Sequence, residues 1–466
     1  APVSLPSGSR KLVTVYVLPN NFSRQLDVRL VDREGQDLLS GKATVRPQPN
    51  ISYMAGILAP ERGALSLING VKFQGQERPK VIVDLALAEL PERPEALRSF
   101  NLLVFNDIDT AQMTPAQTAA LAAWVQQGGQ LVIGGGAGAQ RTLAALPAEL
   151  LPVRVTGTLE VGLDDLRPLA AFGGAPLISA GPFVAARSEL AGGQILAGRP
   201  ELPLIATRSY GAGRVDFSAL DLAGIPYNGW PGTQTCWETL IGPMGRYPEN
   251  MPFDLSPRQY RANSLFYALS NIPSLDLPSI KGISILLGVY MLFVGPLNYL
   301  FLRWRQRLHL AWVTIPVLTA LFAAASFAIG YAMRGNDLVL NKIALVQAQP
   351  STNGSRADAS VTTYMGLFSP RQQSYEVVVD GQGLVSPMTG YDSGGWGPAA
   401  PTGGQMIFEQ GRPARVKGLT VNQWAMQSFM SEGIWEDFGA LSGDLRLENE
   451  VLKGTLRNDT PYPLTE

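Results

Sequence analysis

The apolar positions of this chain change period several times along its length. Between Lys11 and Leu58, "KLVTVYVLP" (11–19), "QLDVRLVD" (25–32) and "ATVRPQPNISYMAGIL" (43–58) alternate apolar and polar residues. Turn signals separate these segments, which predicts short strands at the spacing of a β-sandwich. "DREGQ" (32–36) reads as the turn of a hairpin, with Gly35 free to take positive φ. From Pro79 the alternation gives way to short, nearly unbroken apolar runs: "KVIVDLAL", "NLLVFND" (101–107) and "QLVIGGG" (130–136). Such runs are strands covered on both faces. Between the last two, "TPAQTAALAAWVQQGG" (114–129) reads as an amphipathic helix with a Thr N-cap and a glycine C-cap. "PERPEALRSF" supplies a short helical or loop crossover. Strand, helix, strand at this spacing predicts a parallel α/β sheet wound right-handed. "LPLIATRSYGAGRVDFSALDLAG" (202–224) predicts an antiparallel pair turning at "GAG", and "CWETLI" (236–241) begins a closing helix.

The two longest apolar runs are "GISILLGVYMLFVGPLNYLFL" (Gly282 to Leu302) and "LAWVTIPVLTALFAAASFAIGYAM" (Leu310 to Met333). A helix needs ~20 apolar residues to cross ~30 Å of hydrocarbon, and both runs meet that length. No acidic residue occurs between Asp276 and Asp337. Core helices are usually shorter and keep a polar face, so the pattern predicts a two-helix transmembrane hairpin at 279–335. Its connector holds Arg303, Arg305, Arg307 and the sole histidine, His309, while its outer ends carry only Lys281 and Arg334. Positive charge is retained on the cytoplasmic side. The arginines are therefore expected to determine topology, with the hairpin tip cytoplasmic and both large flanking segments extracytoplasmic. Trp304, Trp312, Tyr290, Tyr299 and Tyr331 are compatible with interfacial anchoring. Pro296 and Pro316 predict kinks. Ala324, Ala328 and Gly330 offer a small-residue face for contact either within the hairpin or with a partner's membrane helices. No ionisable residue occupies the middle of either run, so no ion or proton path is expected through them.

Beyond the hairpin, "NDLVLNKIALVQAQP", "QSYEVVVDG" (373–381) and "GDLRLENEVLKGTLRNDT" (443–460) resume strand grammar around a Gly/Pro-rich loop at 386–405. The expected organisation is an exported β-sandwich-like domain (1–76), an α/β domain (77–250), a linker (251–278), the hairpin, and an exported β-rich domain (336–466). The ending "LRNDTPYPLTE" halts within strand-and-turn grammar, and the chain is expected to continue past it. Asn21, Asn50, Asn353 and Asn458 stand in N-x-S/T sequons within the predicted β parts, which fits exposed surfaces. Composition agrees with this mixture. The chain has 466 residues, 46 % of them apolar and only 16 % charged, which suits globular domains joined to a membrane-embedded part. A net charge of −1 provides no general attraction to nucleic acid. With Cys236 and His309 each alone of its kind, neither a disulfide framework nor a cysteine-built zinc or iron–sulfur site can form. No cofactor or metal is expected.

Three groups of residues are candidates for a ligand or partner surface. Asn106, Asp107 and Asp109, in "NDIDT", stand at the carboxyl end of a predicted parallel strand, where α/β sheets bind ligands. They could contact a metal or a sugar, although solvated acids at the start of a helix are the commoner use of this pattern. Gly134 and Gly136, in "GGGAGAQ", could cradle a phosphate before a helix. No P-loop Lys or Ser/Thr follows, and a glycine turn for close helix packing carries more weight. Trp230 and Trp237, in "YNGWPGTQTCW", could form an aromatic platform for a glycan or protein, against a default of core or lid packing.

The stretches "NLLVFNDIDTAQMTPAQTAALAAWVQQGGQLVIGGGAG" and "PLIATRSYGAGRVDFSALDLAG" resemble the class I glutamine amidotransferase-like fold, in the degenerate form found in bacterial membrane proteins and gliding-motility-type ABC transporter auxiliary components. "ALSNIPSLDLPSIKGISILLGVYMLFVGPLNYLFLRWRQR" is similar to the membrane hairpin of the same uncharacterised group. The resemblance covers roughly residues 80–335. It implies a multidomain chain: a flavodoxin-like parallel sheet flanked by β-sandwich-like domains, α/β plus all-β, with a transmembrane helical hairpin. Active amidotransferases carry a nucleophilic cysteine on the turn that follows the strand equivalent to "LVIGGG", and Gly134 to Gly138 hold no nucleophile. No catalytic residues are assigned. The resemblance and the missing Cys–His pair point to a non-enzymatic accessory or scaffold subunit of a cell-envelope or transporter complex. Its expected partners are the lipid bilayer and membrane proteins or further copies of the chain. The alternative is an extracytoplasmic carbohydrate- or solute-binding sensor using the strand-end pocket near Asn106 and Gly134.

Overall fold

The computed structural model describes residues 3, 6–17, 24–32, 34–49, 51–73, 77–245, 257–270, 280–333, 337–348, 357–380, 383–388, 406–411, 413–439, 441–448 and 451–463. They form two compact units. One takes in the described residues up to Arg258 together with Ala357, Gly439 and those after Gly439. The other takes in the described residues from Gln259 to Ala348 and from Asp358 to Phe438. The architecture is mixed α/β with several sheets and two long apolar helices.

The first unit opens with β1 (Gln25–Val31) and β2 (Asp37–Thr44), an antiparallel hairpin. Its turn is as expected: Gly35 takes φ +84°, and Asp32 Oδ1 accepts from the N–H groups of Glu34 and Gln36 at 2.9 and 2.8 Å. The expected strand at 11–19 does not form in its described part, Lys11 to Val17, which is exposed coil. Among the described residues before Ile51, this hairpin is the only paired structure, and no sandwich is built.

The chain then enters β3 (Tyr53–Leu58), β4 (Lys80–Asp84), β5 (Leu102–Phe105) and β6 (Gln130–Gly134). The antiparallel pair β7 (Val153–Val161) and β8 (Phe183–Leu190) is not among the sequence-predicted elements. β9 (Gln194–Arg199), β10 (Leu202–Tyr210) and β11 (Gly213–Ser218) follow. One seven-stranded sheet has the order β4-β3-β5-β6-β11-β10-β9. Its first five members are parallel, and the last two add antiparallel, with β10 and β11 turning at Gly211 (φ +70°). The expected boundary at 76 is therefore displaced. Tyr53–Leu58 is the first parallel strand of this sheet, and every residue but Met54 is buried. The alternation expected over 43–58 does not extend through it. "YMAGIL" is apolar on both faces because both faces are covered.

Short helices α1 (Pro94–Leu97), α3 (Ala139–Leu143) and α4 (Arg167–Phe172) and the longer α2 (Pro115–Gln126) and α5 (Gly232–Gly245) complete the unit. α2 shows how closely local sequence determines an element here. Thr114 and Gln117 form a reciprocal capping box, with N···O distances of 3.1 and 2.9 Å. At the other end Gly128 takes φ +114°, while the Gly129 N–H returns to Trp124 O at 3.0 Å. That is a Schellman stop, which needs a residue tolerant of left-handed backbone. Leu121, Trp124 and Val125 on its inner face join Phe105, Ile133 and Phe217 in a single core.

In the second unit α6 (Pro257–Ser270) falls within the region expected to be a linker. It is a packed element: Ala262 and Leu269 bury against Tyr364, Met388 and Met430, and Asn341 Nδ2 donates to Leu269 O at 2.9 Å. Next come α7 (Ile280–Leu292), a π-helical turn at Phe293–Leu297 around Pro296, α8 (Asn298–Trp304) and α9 (Ala311–Met333). Pro296 thus falls at an irregular turn as expected, whereas Pro316 lies inside an unbroken helix. The β part has strands β12 (Val339–Ala348), β13 (Ala357–Ser369), β14 (Gln373–Val379), β15 (Leu384–Pro387), β16 (Ile407–Glu409), β17 (Ala414–Val421) and β18 (Ala425–Gly439). They make a four-stranded sheet, β12-β13-β18-β15, and a three-stranded one, β14-β17-β16. β19 (Leu441–Glu448) and β20 (Val451–Asn458) pair as a separate hairpin that belongs to the first unit. Residues 389–405 of the expected Gly/Pro-rich loop, and the sequons at Asn21, Asn50 and Asn353, lie outside the described residues.

Phe105 is fully buried at the centre of the parallel sheet, so Phe105→Ala should lower the unfolding free energy of this unit by about 3–5 kcal/mol. Denaturant titration followed by tryptophan fluorescence reads the change, and a loss under about 1 kcal/mol would contradict the packing described.

Candidate functional site

The parallel strands run in the order second, first, third, fourth, fifth, so the chain reverses direction between β3 and β5. The crevice at the carboxyl ends of two such strands is where open α/β sheets accommodate ligands. Asn106 lies there, its N–H donating to Leu58 O at 2.9 Å. Its side chain is buried and held through both amide atoms: Nδ2 donates to Asp221 Oδ1 at 2.8 Å, and Oδ1 accepts from the Leu222 N–H at 3.0 Å. Gly134 is glycine because any Cβ there would overlap the Asn106 amide oxygen. Gly135 and Gly136 are pressed against Ser218–Asp221, with Gly135 N–H to Leu220 O at 3.1 Å and Gly136 N–H to Ala219 O at 2.8 Å. Gly136 itself takes φ +71°. The glycines thus pack one strand end onto the loop after β11, and the amide hydrogens of Gly135 and Gly136 are used within the chain. Asp221, in "ALDLAG", is the residue here that sequence reasoning missed, because only the fold brings it across from the loop after β11.

Asp107 and Asp109 diverge from Asn106. Asp107 takes φ +50° and pairs with Arg141 at 2.5 Å, with both side chains at least one-third exposed. Asp109 caps a 3-10 turn at Thr110–Gln112, accepting from the Ala111 N–H at 3.2 Å and from Gln112 Nε2 at 3.1 Å. This is the solvated helix-start use of acids. Among the described residues no group of three or more His, Cys, Asp or Glu is placed to hold a metal ion.

Trp230 and Trp237 belong to the buried core. The Trp230 ring packs over Gly173 and Gly232 and its Nε1–H donates to Pro176 O at 2.9 Å. Neither indole presents a face for a glycan. Cys236 is buried beside them, and burial pushes its thiol from an ordinary 9.0 up to about 12.

A second polar group lies nearer the amino ends of the strands. Asp216 is fully buried on β11; its Oδ2 accepts from Gln130 Nε2 at 2.6 Å and from Arg214 Nε at 3.1 Å. Burial raises its carboxyl above the usual range against the pull of Arg214. Gln130 Nε2 and the Arg214 guanidinium also reach Leu240 O on α5, and Arg78 reaches Gly245 O at the end of that helix. These donors tie α5 to the sheet, a task read from the fold and not from any motif.

The arginine tip is the other candidate. Gln306 takes φ +52°, its N–H returning to Arg303 O and the Arg307 N–H to Leu302 O, each at 3.0 Å. This too is a Schellman turn, with glutamine where glycine is usual. Arg303, Arg305 and Arg307 are exposed. The Arg305 guanidinium lies over the rings of Trp304 and Phe301, 5.5 and 6.0 Å from their centroids.

No family model matches this chain, and no curated protein matches it. Among solved structures, the cytoplasmic protein STM3548 from Salmonella typhimurium is 15 % identical, with 47 % of this chain and 95 % of that one covered at a TM-score of 0.29. The cytoplasmic protein STM1381 from Salmonella typhimurium LT2 is 17 % identical, covering 46 % and 96 % at a TM-score of 0.29. A β-galactosidase from Bacillus circulans sp. alkalophilus is 9 % identical, covering 82 % of this chain and 41 % of that one at a TM-score of 0.25. Likeness at this level carries no argument about fold or activity.

Gly134→Ala and Asn106→Ala should each cost about 1–3 kcal/mol, the first by overlap and the second by stranding its buried partners. The double variant should cost less than the sum, since removing the amide makes room for the methyl; additive losses would refute the contact. Cys236 in the folded chain should resist thiol reagents at pH 8. Because its folded value lies above its unfolded one, its contribution to stability is complete below about pH 9 and is lost as pH rises toward 12. Comparing stability–pH curves of the wild type and Cys236→Ser isolates this loss.

Proposed function

We propose that this chain is an integral membrane protein held by the α7–α9 hairpin, with its arginine tip cytoplasmic and its large folded regions extracytoplasmic. It acts as a non-enzymatic accessory or scaffold subunit of a cell-envelope or transporter complex. The observation that carries this reading is the bare apolar surface of the hairpin. Lys281–Trp304 and Leu308–Ile329 are long and apolar enough to cross a membrane, and only 11 % and 0 % of their most apolar windows are buried. Ile285, Met291 and Phe327 are each about two-thirds exposed (67, 67 and 71 %). In water such a surface would be covered by self-association or by another protein; hydrocarbon satisfies it directly.

The contact inside the hairpin supports a role with partners. Phe322 of α9 meets Tyr290 and Phe293 at centroid distances of 5.4 and 6.0 Å, and the Tyr290 hydroxyl lies 3.2 Å from Thr319 Oγ1. Aromatic packing thus joins the helices, and Ala324 and Ala328 stay exposed. That leaves the small-residue face to a neighbouring membrane helix. The rival reading, a carbohydrate- or solute-binding sensor, gains nothing at the strand ends, where Asn106 and the glycines are spent on the chain's own loop.

The parallel-strand order and the capped α2 support a flavodoxin-like α/β domain, and the turn after β6 supports a degenerate amidotransferase-like member of it. That turn offers no nucleophile, and Cys236 is buried elsewhere.

Topology is tested by single cysteines at Arg305 and at Glu201, an exposed loop position, in a Cys236→Ser background. An impermeant reagent on intact cells should label position 201 and leave position 305 untouched until the cells are opened. Labelling of 305 in intact cells would reverse the orientation. Extraction of the chain by high salt alone would remove the membrane assignment.

A further inference from the structure

We infer that the hairpin tip is a recognition site for the phosphate of an anionic phospholipid headgroup, an inference that rests on the membrane reading above. Arginines kept in a connector only to resist translocation need no built geometry. Here the connector is built. The Schellman turn at Gln306 pins the backbone of Gln306 and Arg307 to Arg303 and Leu302, and the Arg305 N–H donates to Phe301 O at 3.1 Å. The Arg305 guanidinium is held over the rings of Trp304 and Phe301. A planar guanidinium held this way pairs bidentately with a phosphate and loses little side-chain freedom in doing so.

Among the described residues no carboxylate competes for that charge. None of Arg303, Arg305 and Arg307 is ion-paired to a described carboxylate, and no acidic residue occurs from 277 to 336. The surrounding side chains suit a headgroup layer. Trp304 is 76 % and Trp312 89 % exposed, on the two helix ends that meet at the tip. Indoles prefer that depth, between hydrocarbon and water. With the rings anchored there, the three guanidiniums stand at the level of lipid phosphates. The ligand class is thus an anionic glycerophospholipid, bound by phosphate contacts and flanking indoles.

The test uses the full chain in nanodiscs of equimolar phosphatidylcholine and phosphatidylglycerol, transferred to mild detergent and read by native mass spectrometry for retained lipid. Attraction near a membrane surface is worth about a fivefold preference per basic residue. Retained phosphatidylglycerol should therefore exceed the bilayer ratio by on the order of fivefold or more. The variant R303Q/R305Q/R307Q should fall to the bilayer ratio, while R303K/R305K/R307K, which keeps the charge, should retain part of the enrichment. Equal ratios in wild type and the glutamine variant would overturn the proposal. Excess inorganic phosphate separates a seated lipid from a free-ion site: lipid that survives it supports the headgroup, and its complete displacement overturns it. Failure of the chain to enter nanodiscs at all is a different result, one that removes the membrane reading itself.

Discussion

Helices that are apolar all round and left uncovered impose a surrounding medium on the rest of the chain. α7 to α9 bury almost none of their own side chains, so their stability in place depends on what lies outside them. Within the hairpin the only specific attachments named above are the aromatic contacts around Phe322 and one hydroxyl pair. Such a contact closes two helices without hiding their flanks. On the proposed reading the bilayer completes the fold here as a partner would.

The α/β unit answers the opposite demand. Its sheet is covered on both faces and its strand ends are closed by its own loop. The Asn106–Asp221 bond and the glycines of β6 fill the crevice where ligand sites usually form. At the amino ends Arg78, Arg214, Gln130 and Asp216 fasten α5 to the sheet. These polar groups hold elements of the unit together. A closed unit of this kind suits a surface-presenting role, which is the role we propose.

The sequence was most legible where a local rule acts on consecutive residues. The hairpin turn at Gly35, the N-cap at Thr114, the stop at Gly128 and the two long apolar helices were all visible in it. It was less legible where coverage comes from elsewhere. "YMAGIL" looked like the end of an alternating series until the sheet claimed it, and α6 looked like a linker until Tyr364 and Met430 were found against it. The pair β7 and β8 escaped notice although "VRVTGTLEV" alternates. Of the site residues, Asn106 and Gly134 could be singled out but their partner Asp221 could not, since more than a hundred positions separate it from Asn106.

Period, caps and the run of uncharged residues between Lys281 and Arg303 were determined by the sequence alone, because each depends on neighbours a few positions apart. Tertiary structure decided which polar residues would be spent on packing. Whether Trp230 offers a face or fills a core, and whether a glycine cradles a ligand or the chain's own amide, depends on atoms that only folding brings together.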